Sequence, residues 1–127
     1  MRVAFLGVTA FITIACGITE ATPDRAIGEY NLARVNGTPV PAVSGSTKYY
    51  DGVFKLNADK SFSQFLTQGL ASGGMISGNG GFGIWTRSHS DSIALTLTNP
   101  SAGTFRVWTD GQLLRSGTFE YERKTTQ

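Results

Sequence analysis

Short apolar runs separated by turn residues are the feature that most restricts the fold of this chain. Runs rich in Val, Ile, Thr and aromatic residues recur between Gly, Asn, Asp and Pro signals, at spacings typical of antiparallel sheets. No stretch shows a sustained helical period. Residues 93–98 alternate three aliphatic residues with small or hydroxyl residues, which is typical of a strand with one face in water. The sequence therefore predicts an all-β domain.

The turn signals indicate an up-and-down order of strands. Asn36-Gly37 tolerates positive φ and predicts a tight reversal, and Asp110-Gly111 predicts a two-residue hairpin. Pro39 and Pro41 exclude a central strand between them, so this piece is expected at an edge or in a crossover. The eight candidate strands are residues 29–35, 49–57, 61–67, 84–87, 93–98, 104–109, 112–115 and 118–123. We expect a single antiparallel up-and-down β-barrel of about eight strands, because closure removes exposed sheet edges.

A glycine-rich stretch interrupts this pattern. Residues 69–83 contain seven glycines. Glycine weakens strand pairing and permits unusual backbone angles, so the stretch predicts a long flexible loop or a bulged strand start. Its spacing around Gly78 to Gly83 is superficially that of a phosphate loop, but the lysine and helix N-terminus that such a loop needs are missing.

The N-terminus has the features of an export signal. Met1-Arg2 precedes an apolar run of about 13 residues, shorter than the roughly 20 that a membrane-spanning helix requires. The segment Thr13-Ile14-Ala15-Cys16 resembles a bacterial lipobox, which implies lipidation of Cys16 after cleavage. A competing cut after Ala21 would give plain secretion. A third reading makes Cys16 a buried structural residue.

Charge and cysteine content limit the partners and the domain count. A net charge of +2 with no basic cluster indicates no nucleic-acid partner. One cysteine provides no disulfide framework. We expect a signal peptide at residues 1–15 ending at lipidated Cys16, a flexible tether at 16–26 and one barrel domain at 27–124, a size that can bury a sufficient core.

A set of packing and turn positions across residues 27–124 is similar to those of the small lipocalin-like (calycin-like) lipoprotein domains of bacteria. The positions are Tyr30, Leu32, Val35, Asn36, Gly37, Pro39, Pro41, Gly52, Leu56, Asp59, Phe62, Gly83, Trp85, Ile93, Leu95, Leu97, Phe119, Tyr121 and Arg123. The resemblance implies an eight-stranded lipocalin-like barrel, held outside the cytoplasm by a lipidated cysteine, in a group of mostly unassigned function.

Four aromatic residues are candidate ligand contacts. Trp85, Tyr121, Phe54 and Phe62 fall at positions expected to point into the barrel. They either fill the core, since a small barrel needs bulky interior groups, or they surround a small apolar ligand that the Trp85 N–H and Tyr121 O–H orient.

Catalysis and metal binding have little support in the sequence. Ser88, His89 and Asp91 lie within one predicted turn, where Ser and Asp have a local role, whereas triad members are brought together by the fold. One histidine and scattered carboxylates lack the spacing of a zinc or calcium site. We therefore expect no catalytic residue, no metal and no cofactor.

The sequence thus predicts a non-enzymatic protein of the bacterial cell envelope, at the membrane periphery through its lipid. Its expected activity is binding a small apolar ligand or docking an envelope protein. The first alternative is a secreted or periplasmic inhibitor or protein-interaction module acting through the glycine-rich loop 69–83. The second is an envelope hydrolase that uses His89.

Overall fold

A computed structural model describes residues 23–125, and its regular structure is entirely β. The predicted signal peptide and Cys16 lie outside the described residues. The ten strands are β1 (Gly28–Val35), β2 (Thr38–Pro39), β3 (Ala42–Ser44), β4 (Thr47–Leu56), β5 (Ser61–Leu70), β6 (Ile76–His89), β7 (Ser92–Asn99), β8 (Gly103–Thr109), β9 (Leu113–Ser116) and β10 (Phe119–Arg123).

Eight of these strands form a closed barrel. Strands β4 to β10 pair with their neighbours in chain order, always antiparallel. Strand β1 pairs with β10 on one side and with β4 on the other, which closes the ring. The two remaining strands, β2 and β3, pair with β1 and β4. The prediction of an all-β, eight-stranded, antiparallel up-and-down barrel is confirmed.

Local turn chemistry explains much of this order. Asn36 and Gly37 have φ values of 52° and 80°, the left-handed backbone that a tight reversal requires. Pro39 lies in the two-residue strand β2, as its missing N–H predicts. The predicted two-residue hairpin at Asp110-Gly111 is wrong: three residues separate β8 from β9. The Asp110 carboxylate accepts hydrogen bonds from the backbone N–H groups of residues 112 and 113, at 2.8 and 2.9 Å, and this sets the longer turn.

The glycine-rich stretch is the main correction to the predicted strands. Most of residues 69–83 is not a loop, because β5 continues to Leu70 and β6 begins at Ile76. The ring of Phe65 on β5 lies against Gly78 and Gly80 of β6, where a Cβ would overlap it. A Cβ on Gly83 would overlap the carbonyl oxygen of Thr96 on β7. Glycine at these positions permits close approach of neighbouring strands, which compensates for its weak strand propensity.

The barrel interior is filled by a continuous core. Trp85, Tyr30, Tyr121, Phe54 and Phe62 are its largest buried side chains, each less than 2% exposed. The Phe54 and Tyr121 ring centroids lie 5.5 Å apart in an edge-to-face arrangement, and those of Phe54 and Phe62 lie 6.0 Å apart and nearly parallel. Such aromatic pairs add to the stabilisation from buried area.

The residues that precede β1 contact the barrel. Ala26 is fully buried, and the Tyr30 hydroxyl donates a 2.8 Å hydrogen bond to its carbonyl oxygen. Asp24 forms an ion pair with Arg87 of β6. Residues 24–26, assigned by the sequence to the tether, therefore contact the barrel and cover one of its ends.

Candidate functional site

The four predicted ligand contacts come together in the core. Phe54, Phe62, Trp85 and Tyr121 lie on β4, β5, β6 and β10 and are at most 1% exposed. The Trp85 indole N–H donates to the carbonyl oxygen of Asn57 at 2.9 Å. Burial, with no hydrogen bond contributing, raises the pKa of the Tyr121 hydroxyl far above its ordinary value. Their role in ligand binding stays a prediction.

An accessible apolar groove, called the outer groove, lies on the outer face of the barrel. A groove of about 590 Å³ crosses β1, β4, β5 and β6. The register places four of its side chains on the outer face, because Val53 is opposite Phe65 and Ser63 is opposite Phe82, while Phe54 and Phe62 point inward. The groove is lined by Glu29, Val53, Lys55, Ser63, Gln64, Phe65, Gly80, Gly81, Phe82 and Asn99.

Two aromatic rings dominate this outer groove. Phe65 is 51% exposed and Phe82 is 53% exposed. Gly80 lies opposite Phe65 in the register, and its missing side chain leaves the space that the Phe65 ring and the groove share. Half-exposed phenylalanines are costly in water, and a concave apolar surface with a few polar groups is typical of a small-molecule site.

The charges at the polar end of the outer groove largely offset one another. The Lys55 Nζ lies 3.8 Å from one Glu29 carboxylate oxygen, and the Lys124 Nζ lies 3.5 Å from the other. These pairs are partly exposed, so each contributes little stability. Ser63 and Asn99 add neutral hydrogen-bonding groups. The groove therefore suits a mostly apolar molecule better than a strongly charged one.

Strand alternation in the sequence is enough to predict that Phe65 and Phe82 face outward. Within β5, Phe62 and Leu66 are buried, so Phe65 has the opposite parity and must face outward. The same argument applies to Phe82, which precedes the buried Gly83 and Trp85 on β6. The sequence does not predict that Phe65 and Phe82 lie close together. That contact requires residues 76–83 to be a strand paired with β5, and the glycines there favour a loop instead.

A cluster of charged side chains covers one end of the barrel. This cluster, the charged latch, consists of Asp24, Arg25, Arg87, Asp91 and Arg123. The Arg87 guanidinium donates to both carboxylate oxygens of Asp24, with Nε 2.8 Å from Oδ2, and these bonds lower the Asp24 pKa to about 2. Arg25 pairs with Asp91. The guanidinium of Arg123 donates to the Arg25 carbonyl oxygen at 2.6 Å.

A second groove is formed by residues of the latch and belongs to the structure that closes the barrel end. This groove, about 390 Å³, is lined by Pro23, Asp24, Arg25, Arg87 and Ser90. Its charged groups are already paired with one another or with backbone carbonyl groups. The arrangement stabilises the closed end and leaves little capacity for a further ligand.

The Ser88, His89 and Asp91 side chains lie at the β6–β7 turn. The Ser88 hydroxyl donates to the carbonyl oxygen of Ser92 at 3.2 Å, and the Asp91 carboxylate accepts from Arg25. Both groups thus have partners within the fold, Ser88 in its own turn and Asp91 in the latch. Among residues 23–125, no group of three or more His, Cys, Asp or Glu side chains is placed to hold a metal ion. None of the described residues forms a helix with the length and apolarity needed to cross a bilayer.

Comparisons of the chain with protein-family models, with curated proteins and with solved structures gave no match.

Proposed function

We propose that the protein is a non-enzymatic binding protein that takes a small apolar ligand in the outer groove. The observation that carries this proposal is the pair of half-exposed rings, Phe65 and Phe82, which line a groove of about 590 Å³ with glycines between them. That volume lies in the range of about 300–1,000 Å³ that small-molecule sites occupy. The core aromatics are a weaker candidate, because a ligand would have to displace packed side chains to reach them.

The affinity would come mainly from covering the two rings. A phenylalanine side chain presents roughly 200 Å², so the exposed half of Phe65 offers about 100 Å². A ligand that covers half of this surface gains about 1.2 kcal/mol from that ring, or roughly tenfold in affinity. Ser63, Asn99 and Lys55 can bind a polar group at one end of the ligand.

The proposed setting is the bacterial cell envelope, with the domain anchored to a membrane through a lipid on Cys16. The support is the apolar run and the resemblance of residues 13–16 to a lipobox. Mass spectrometry of the protein purified from its own cells tests this part: we expect an acylated Cys16 at the N-terminus. An unmodified N-terminus at Thr22 would instead indicate a secreted or periplasmic protein, and an intact Met1 would contradict export.

A fluorescence titration with the neutral apolar probe N-phenyl-1-naphthylamine tests the groove. We expect saturable binding that weakens about tenfold in Phe65→Ser and similarly in Phe82→Ser. Val43→Ser is the matched control, because Val43 is also about half exposed, at 54%, but lies outside the groove. Binding that is lost in Tyr121→Phe and kept in the two groove variants would place the ligand in the core and refute the groove.

A second candidate function is protein interaction through the β5–β6 hairpin, which contains the glycine-rich residues 69–83. Of the seven exposed large apolar side chains among the described residues, six lie on this hairpin or its turn. Contiguous exposed apolar surface of this kind is typical of interaction sites. Loss of a partner protein, with probe binding intact, after substitution of Met75 and Ile76 by serine would favour this candidate.

A further inference from the structure

Strand β6 has an unpaired edge outside the closed part of the barrel. On one side it pairs with β5 from its first residue, with Ile76 opposite Gly69. On the other side its pairing with β7 begins only at Phe82, opposite Asn99. The backbone of residues 76–80 is therefore available along one edge, over roughly 17 Å, whereas Gly81 lies against Asn99 and Pro100. The first four residues of the strand are exposed.

This edge lacks the features that normally prevent strand addition. Natural edges are protected by charged side chains, proline or bulges. Residues 76–80 contain neither proline nor a charged residue, and no register shift separates them from β5. The register shift between Phe82 and Gly83 on the β7 side lies beyond them. The edge therefore has the properties of a strand that pairs with another chain.

The surface next to the free edge is neutral and apolar. No charged residue lies between Lys60 and Arg87, a segment that includes all of β5 and most of β6. Six large apolar side chains are more than half exposed within it: Phe65, Leu70, Met75, Ile76, Phe82 and Ile84. A partner chosen by charge would find no complementary group there.

We infer that the free edge of β6 binds the same edge of a second copy of this chain. Antiparallel pairing about a two-fold axis at Gly78 would join the two β5–β6 hairpins into one continuous sheet. Ile76 of one copy would then oppose Gly80 of the other, beside the ring of Phe65 that lies over that glycine. Two identical neutral edges meet without charge repulsion, so the self-pairing satisfies both the backbone groups and the apolar side chains.

A bilayer is a less suitable occupant of this surface. Unpaired backbone N–H and C=O groups are costly in hydrocarbon, where no partner can satisfy them. A second strand pairs with those groups and also covers the apolar side chains. The inference rests on the backbone groups of the free edge and needs no ligand in the outer groove. A partner strand at this edge would lie beside Phe65 and Gly80, which also line that groove.

Sedimentation equilibrium of the full chain in density-matched mild detergent tests the dimer. We expect two chains per particle for the wild type, and a dissociation constant raised at least about tenfold in Asn79→Lys and in Ser77→Lys, which place like charges at the pairing edge. Thr86→Lys is the matched control: Thr86 is also exposed on the same strand, but it lies outside the free edge, where β6 pairs with β7 and Thr86 is opposite Ala94, so the dimer should be unchanged.

Two results would overturn the inference. One is a wild type that stays monomeric at every concentration. The other is a dimer that both Asn79→Lys and Ser77→Lys leave intact, since the interface would then lie elsewhere. Both substituted side chains are exposed, so urea unfolding of the variants should match that of the wild type and exclude misfolding as the cause. Failure of the dimer leaves the probe titration of the outer groove unaffected, so the two proposals can fail separately.

Discussion

Removing the charge of Asp24 should lower the stability of the barrel at neutral pH by about 2.5 kcal/mol. The Asp24 side chain is only 17% exposed, and it accepts two hydrogen bonds from Arg87 and one from the Ala26 backbone N–H at 2.9 Å. These bonds, with Arg87 the largest cause, lower the pKa of Asp24 from 3.8 to about 2. At about 1.4 kcal/mol per pKa unit, this lowering corresponds to the expected loss in Asp24→Asn.

The pH dependence of this loss has a definite direction. Because the pKa of Asp24 is lower in the folded state, its contribution is complete above pH 3.8 and disappears as the pH falls towards about 2. The difference in unfolding free energy between the wild type and Asp24→Asn should therefore be constant at neutral pH and shrink in acid. Urea unfolding at a series of pH values, followed by the fluorescence of the buried Trp85, measures this difference.

The exposed carboxylate of Asp51 provides the control for the Asp24 experiment. Asp51→Asn changes the net charge equally but removes no ion pair of the latch. It should stay within about 0.5 kcal/mol of the wild type. A stability difference for Asp24→Asn that does not change with pH would refute the argument, because the loss would then not come from the ionised carboxylate. No difference at all would show that the latch adds no stability.

Two further substitutions test the packing of the barrel. Gly83→Ala should destabilise it by about 1–3 kcal/mol in urea unfolding, because the added Cβ overlaps the Thr96 carbonyl oxygen, whereas Gly103→Ala, with open space around its Cβ, should be neutral or slightly stabilising. Arg123→Met should lose about 1–3 kcal/mol through its bonds to Arg25 and Tyr30 at the closed end, and an unchanged midpoint would contradict the role of the latch.

The strand order was predictable because its signals are local. The alternation in residues 93–98 and the reversal at Asn36-Gly37 depend only on neighbours in sequence. The structure has strand β7 and the first turn at these positions. The first half of β6 was missed because its stability depends on Phe65, which lies on the neighbouring strand and covers Gly78 and Gly80. The latch was missed for the same reason, since Asp24 and Arg87 are 63 residues apart.

Contacts between residues that are distant in sequence also explain why the candidate site was expected inside the barrel. Sequence parity identifies which side chains point inward, but it does not show whether they leave a cavity, and here Phe54, Phe62 and Tyr121 pack against one another. The outer groove depends on the pairing of β5 with β6, which brings Phe65, Gly80 and Phe82 together. A single sequence contains these residues but not their register.

The groups that stabilise the barrel and the groups proposed to bind lie at different places along β6. Arg87, near the end of this strand, belongs to the charged latch, whereas Ile76 begins the free edge eleven residues earlier, a distance of roughly 35 Å along a strand. The ion pairs and the aromatic core hold the closed end without help from Phe65, Phe82 or residues 76–80. The barrel can therefore keep costly exposed apolar groups on the β5–β6 hairpin, and substitutions there should change binding or assembly before they change folding.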